Sequence, residues 1–293
     1  MLIGPIIALG CAITWAIALI LWEKVGPGLP ARALNCFKNG FSLLLLVPTL
    51  FIIEGPSFPD ISRTDLMIIL LSGSVGIGIA DGLYLWSLEL IGPSRLAIID
   101  CLYTPTVVLV SWLFLGETVN NLQVVGGLMV LVAALLVSVE KSLDEVHRTQ
   151  LLQGCLICTA AILVMTLGIV GLKPVFPRVS LFWIVTLRLG IGFVVSLLGV
   201  LFSSSRKEVI KRFMGISGKK YIFLASFCGT YLSMVLWVAG FKYNQAAIAA
   251  VLNQTSTVFT VLLAAYYLDE KLTKKKVLAV VTSMVGVFVL TMN

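Results

Sequence analysis

Charge is scarce in this sequence. Only 12% of its 293 residues are charged, about half the share of an ordinary soluble domain, and that scarcity excludes a soluble globular fold. Histidine is almost missing, His147 being the single copy. There is therefore no H-E-x-x-H zinc motif and no base to activate a serine. A basic stripe interleaved with aromatics is also lacking, so the net charge of +7 does not point to nucleic acid. No basic segment precedes the first apolar run, Leu2 to Trp22, which is longer than the usual core of a signal peptide. That run reads as a first membrane span. Six cysteines, at 11, 36, 101, 155, 158 and 228, lie nearly all inside apolar blocks. Cys155-x-x-Cys158 has no second pair nearby and reads as packing, so neither metal nor cofactor is expected. Gly76-Ile-Gly78 follows no strand and is not a phosphate loop.

What is present is apolar length. Hydrophobic residues make up 59% of the chain, in blocks of about twenty, enough for a helix to cross the hydrocarbon. Ten spans follow, near 2–22, 31–53, 65–90, 94–115, 120–139, 151–172, 180–202, 219–243, 245–268 and 273–292. Continuous runs without alternation indicate helices and not a barrel. The breaks carry turn residues at Gly26-Pro27-Gly28, Gly55-Pro56, Gly92-Pro93 and Lys173-Pro174. The polar linker at 141–150 divides the chain into halves, 1–140 and 151–293, of five spans each.

The halves repeat one another. Leu85-Trp86 returns as Leu236-Trp237, the break at 92–95 returns at 243–245, and Leu115-Gly116-Glu117 returns as Leu268-Asp269-Glu270. Fifteen lysines and arginines fall in one set of loops and four in the other. That bias places the richer side in the cytoplasm and both termini on the opposite side. Since five is odd, the two copies enter the membrane in opposite senses, an inverted repeat of the kind common in secondary transporters. Gly76, Gly78, Ala80, Gly82 and Gly126-Gly127 allow close helix approach.

Four charges lie inside spans, where they are expensive and face a cavity or a partner: Lys38, Asp81, Asp100 and Arg188. Counting helical rise puts Lys38, Asp100 and Asp81 roughly 10, 9 and 14 Å from the cytoplasmic end, and Arg188 roughly 12 Å from the other. Lys38 corresponds to Arg188 and Asp100 to Asn253. One half thus pairs a cation with an acid, while the other sets a cation beside Asn253 and Gln254. Arg188 is the candidate for an anionic substrate group, and Asp81 or Asp100 neutralises Lys38, one of them with a coupling-proton role. Pro105 frees the carbonyl of Cys101 and is a candidate hinge beside Asp100 and Tyr103. Trp15, Tyr84 and Tyr231 are candidate lining residues, as are Trp86 and Trp237. Glu117 and Glu270 are expected to cap the helix that follows each.

This combination resembles the drug/metabolite transporter superfamily, EamA type, over nearly the whole length. The likeness rests on ten spans in two halves and on Pro105 twelve residues before Gly116-Glu117. Gln123, Gly126-Gly127, Glu270 and the basic residue in the second span of each half add to it. Val258 stands where the second copy would have proline, and Lys38 where arginine is more usual. The resemblance implies an all-α membrane protein, two inverted five-helix repeats, that transports a small polar metabolite such as an amino acid. It is expected to be a secondary transporter, exporter or exchanger, working by alternating access in the cell membrane, with a small solute and lipid as partners and no catalytic role. The rivals are an intramembrane aspartyl protease using Asp81 and Asp100, disfavoured by Lys38 and by the absence of Gly-x-Gly-Asp, and a non-transporting scaffold.

Overall fold

Apolar runs of this length find no water to bond, so they close their hydrogen bonds along the chain. In this computed structural model every regular element among the described residues, 3–25, 30–138, 148–203, 206–267 and 273–291, is helical. The first two spans are α1 (Ile3–Glu23) and α2 (Ala31–Glu54). The third comprises α3 (Arg63–Gly73), a π-helical stretch (Ser74–Ala80) and the start of α4 (Asp81–Asp100). Helix α5 (Tyr103–Leu115) completes the fourth, and α6 (Asn121–Ser138) is the fifth. The second half opens with α7 (Arg148–Val170), α8 (Leu181–Leu201) and a short extra helix, α9 (Arg206–Met214). Its eighth span is α10 (Lys219–Ser226), a second π-helical stretch (Phe227–Leu232) and α11 (Ser233–Tyr243). Then come α12 (Ala246–Gln254) with α13 (Ser256–Tyr267), and last α14 (Lys274–Thr291).

Three features differ from the sequence reading. The chain stays helical through Gly92 and Pro93, although an interior proline gives up its own donor and crowds the carbonyl four residues back. The third and fourth spans therefore join without an open loop, and the break falls at Cys101–Leu102 instead. The π-helical stretches were not foreseen. They occupy matching places, with Gly78 and Gly229 each eight residues before the tryptophan of its copy. Helix α9 lies between the seventh and eighth spans, where a loop was expected.

The packing repeats with the chain. The first π stretch lies against α7 and α8, and the second against α1 and α2. Helix α4 packs on α7 as α11 packs on α1, while α2 meets α8 and α6 meets α14 across the centre. Each half thus offers the same faces to the other, as a duplicated unit must. Large apolar side chains point away from the bundle, Ile52 at 84% and Leu44 at 70% exposure among them. The halves gain nothing from withdrawing apolar area from lipid, so close packing of small residues holds them together. The α6–α14 seam is one such close approach. A Cβ on Gly126 would stand 2.6 Å from both the Gly286 carbonyl oxygen and the Leu290 nitrogen. These are backbone atoms and yield little. Gly126→Ala is therefore expected to cost about 1–3 kcal/mol by overpacking, seen as a lower melting midpoint in detergent. An unchanged midpoint would mean that the seam is looser than its geometry.

Candidate functional site

Helix α2 presents Asn35, Lys38, Asn39 and Ser42 at i, i+3, i+4 and i+7, one face of the helix, and all four are buried. Hydrocarbon solvates none of them, so they bond to each other and to neighbouring backbone. Lys38 Nζ donates to Asp81 Oδ2 at 2.6 Å and to Asn39 Oδ1 at 3.3 Å. Asn39 donates to Asn35 at 3.2 Å, and Asn35 donates to the Ile77 and Gly78 carbonyls of the π stretch. Of the two acids offered by the sequence, Asp81 is the one that neutralises Lys38. The π stretch immediately precedes Asp81 and, with this amide chain tied to its carbonyls, fixes where the carboxylate sits.

Asp100 takes a different partner. The Tyr84 hydroxyl faces its carboxylate, and no described cation lies within ion-pair distance. The two acids form no shared dyad, since each has its own neighbour. Asp100 and Tyr103 stand on either side of the break at Cys101–Leu102, where the Leu102 N–H bonds the Ile99 carbonyl at 2.9 Å. The second copy breaks at the matching place without a proline. There the Thr255 N–H bonds Leu252 O at 3.2 Å, and its hydroxyl bonds the same oxygen at 2.6 Å. A tight 3₁₀-type turn therefore makes the break in a copy that has Val258 where the first has Pro105.

Arg188 on α8 is the largest fully buried side chain among the described residues, 1% exposed. Its Nε and Nη1 donate to no described residue, and both amide atoms of Asn253 are likewise without a partner among the described residues, while the Tyr103 hydroxyl faces the Trp237 side chain. The guanidinium carbon lies 5.5 Å from the Trp237 ring centre, a cation–π contact. Glycine makes room for it. The backbone at Gly73 abuts that of Arg188, and a Cβ on Gly76 would come within 3.6 Å of Nη2. Arg188 also lies within electrostatic reach of Asp81 and Tyr103.

The other candidates divide. Gln254 Oε1 accepts from the Thr104 hydroxyl at 3.4 Å, and its Nε2 lies 3.9 Å from Cys101 Sγ, beside Tyr103. Tyr231 is engaged elsewhere, its hydroxyl 2.8 Å from that of Thr49 and its ring stacked on Phe227. Trp15 sits edge-on to Trp22 and covers Gly229. Trp86 is 46% exposed, unlike its counterpart Trp237. Asn35 and Asn39 were missed, although their spacing about Lys38 was a legible signal. Thr186 and Thr230, buried with unpartnered hydroxyls, carried none.

Glu117 does not cap the helix that follows it. Gly116, at φ 65°, ends α5 in the left-handed region with its N–H on Trp112 O, and the Glu117 N–H reaches Ser111 O. This turn aims Glu117 at the other half, where Oε2 accepts the Ala246 N–H at 2.7 Å and Oε1 pairs with Lys173 at 3.2 Å. Lys173 also donates to the Phe241 and Asn244 carbonyls. An anion thus meets the start of α12 and a cation the end of α11, as the helix dipoles favour. Helix α6 is capped instead by reciprocal bonds between Asn120 and Gln123. At the same end Arg178 grips Asp65 through Nε and Nη2, at 2.9 and 2.6 Å. Both clamps join one half to the other. Glu270 lies outside the described residues.

Two five-span units of opposite sense, packed around buried charge, define a multi-pass membrane protein. The chain belongs to the EamA-like transporter family, whose profile matches residues 2–139 and again 152–292. It is thereby a membrane transporter of the drug/metabolite type. A solved crystal structure of 17% sequence identity shares the fold, with a TM-score of 0.80 over 98% of this chain and 96% of that one. No curated protein matches the sequence.

Proposed function

We propose that the protein is a secondary transporter that moves a small polar metabolite with an anionic group, such as an amino acid, by alternating access. It works as an exporter or exchanger in the cell membrane, with both termini on the non-cytoplasmic side and the repeats 1–140 and 151–293 as its rocking units. The observation that carries this reading is Arg188. A guanidinium buried in a membrane bundle with two idle donor atoms is costly to keep, and an anionic ligand would satisfy it with paired hydrogen bonds. Tyr103, Asn253 and Gln254 would complete the recognition, and Trp15, Tyr84, Tyr231 and Lys38 the lining. Asp81 or Asp100 would carry coupling, and Pro105 would flex.

The clamps Glu117–Lys173 and Asp65–Arg178 support alternation, since they tie the halves at one end and must part for that end to open. Solute counterflow tests the reading directly. Proteoliposomes loaded with unlabelled alanine, glutamate, lactate or succinate are given the radiolabelled form outside, at two pH values. Saturable exchange of at least one carboxylate is expected, and exchange no faster than in empty vesicles for all four would remove the anionic-metabolite reading.

A further inference from the structure

The segment between the seventh and eighth spans stands apart from the site just described, and the inference drawn from it does not rest on the transport reading. Helix α9 and the start of α10 carry Arg206, Lys207, Lys211, Arg212, Lys219 and Lys220, all exposed, against one acid, Glu208, which is taken by Arg212. A loop needs no such surplus to be soluble. The helix is also not simply polar. Phe213 lies 5.2 Å from the Phe37 ring, and together with Ile216 it packs on the cluster of Ala31, Leu34, Leu85 and Ile222. That contact pins α9 alongside the bundle. Next to Phe213 on the same face, Ile210 and Met214 remain 48% and 60% exposed.

These two side chains continue the apolar exterior. Leu201 and Phe202 lead into α9, and Phe223 and Leu224 follow it, all exposed. Helix α9 therefore lies where the hydrocarbon-facing band ends, with an apolar edge toward that band and a row of cations beside it. This is the arrangement of a helix lying in the plane of a membrane interface. The complementary surface for its charge is a leaflet rich in anionic headgroups.

We propose that α9, with Lys219 and Lys220, is a docking surface for anionic phospholipid headgroups in the leaflet that this end of the bundle faces. Cations bond the phosphates while Ile210 and Met214 enter the acyl boundary. The consequence reaches the interior, because α9 joins α8, which carries Arg188, to the span that carries the second π stretch and Trp237. Lipid held on α9 fixes the spacing of those two spans.

The test uses the full chain in a neutral detergent, titrated with phosphatidylglycerol or phosphatidylcholine and read by native mass spectrometry and thermal melting. Phosphatidylglycerol is expected to bind about tenfold more tightly and to raise the melting midpoint, and R206Q/K207Q/K211Q/R212Q to abolish that preference. I210S/M214S, which keeps every charge, should weaken binding of both lipids. K274Q/K275Q, at another basic stretch, should change neither. Equal affinity for the two lipids would overturn the proposal, as would a preference that survives the quadruple substitution or is lost equally in K274Q/K275Q. Inorganic phosphate or glycerol phosphate matching the lipid's effect would overturn it too, by showing a free-anion site.

Discussion

Arg188→Gln is expected to lower kcat/KM for an anionic solute by at least about thirtyfold while leaving the protein folded. Losing a desolvated charge pair costs about 2–5 kcal/mol, and about 1.4 kcal/mol is a factor of ten. Arg188→Lys should fall between, since it keeps the charge but not the planar fork that meets a carboxylate with two parallel bonds. Stability should move the other way. Because Nε and Nη1 bond no described residue, the substitution removes a desolvated charge and breaks no hydrogen bond described at those atoms. The melting midpoint of Arg188→Gln should equal or exceed that of the wild type, a trade of stability for function common at binding sites. Counterflow at the wild-type rate would dismiss Arg188 as the anion site. A collapsed melting midpoint would show instead that the guanidinium holds the bundle together.

The second large effect concerns Lys38 and Asp81. Asp81→Asn strands the ammonium in the bundle with only the Asn39 amide and the new side chain nearby, and breaking a buried pair from one side costs about 3–5 kcal/mol. Lys38→Met strands the carboxylate and should cost a similar amount. The double variant Lys38→Met/Asp81→Asn removes both charges, and most of the loss should return, because a buried pair is worth little beyond cancelling its own desolvation. Melting in detergent measures all three. Single variants as stable as the wild type would mean that water reaches the pair, and Asp81 is indeed the more open partner, its side chain 18% exposed against 6% for Lys38. Counterflow by the double variant then separates two roles. A folded protein that no longer exchanges solute assigns the pair to transport, and one that still does assigns it to structure.

The helical cap at Glu117 and the break at Cys101–Leu102 show where sequence reading stopped. Both lie inside the repeated stretch that runs from Tyr84 to Glu117. Its outline was readable because a span is a local property. About twenty apolar residues make one wherever they occur, and charges inside them are conspicuous against hydrocarbon. Duplication was readable for the same reason, since Trp86 and Trp237, and Glu117 and Glu270, recur in the same order at nearly the same spacing whatever the helices do in space. Even the small residues gave a true hint, as Gly126 is pressed against Gly286.

Partner choice is a property of another kind. Lys38 had two acids within reach by counting. Asp81 was selected by a π stretch that sets its direction and by Asn35 and Asn39, which tie α2 to that stretch. Arg188 had no acid assigned to it by counting, yet in the folded chain it lies within the field of Asp81. Glu117 was expected to serve the next helix, but Gly116 turns it toward Ala246, in the other half of the molecule. The sequence by itself determined that this protein lies in the membrane, is built twice over in opposite senses and buries four charges, because hydrocarbon judges each segment alone. Which charge meets which, and that Arg188 is left with idle donors, was decided only in the tertiary structure, since rotation and tilt of packed helices depend on contacts more than a hundred residues away.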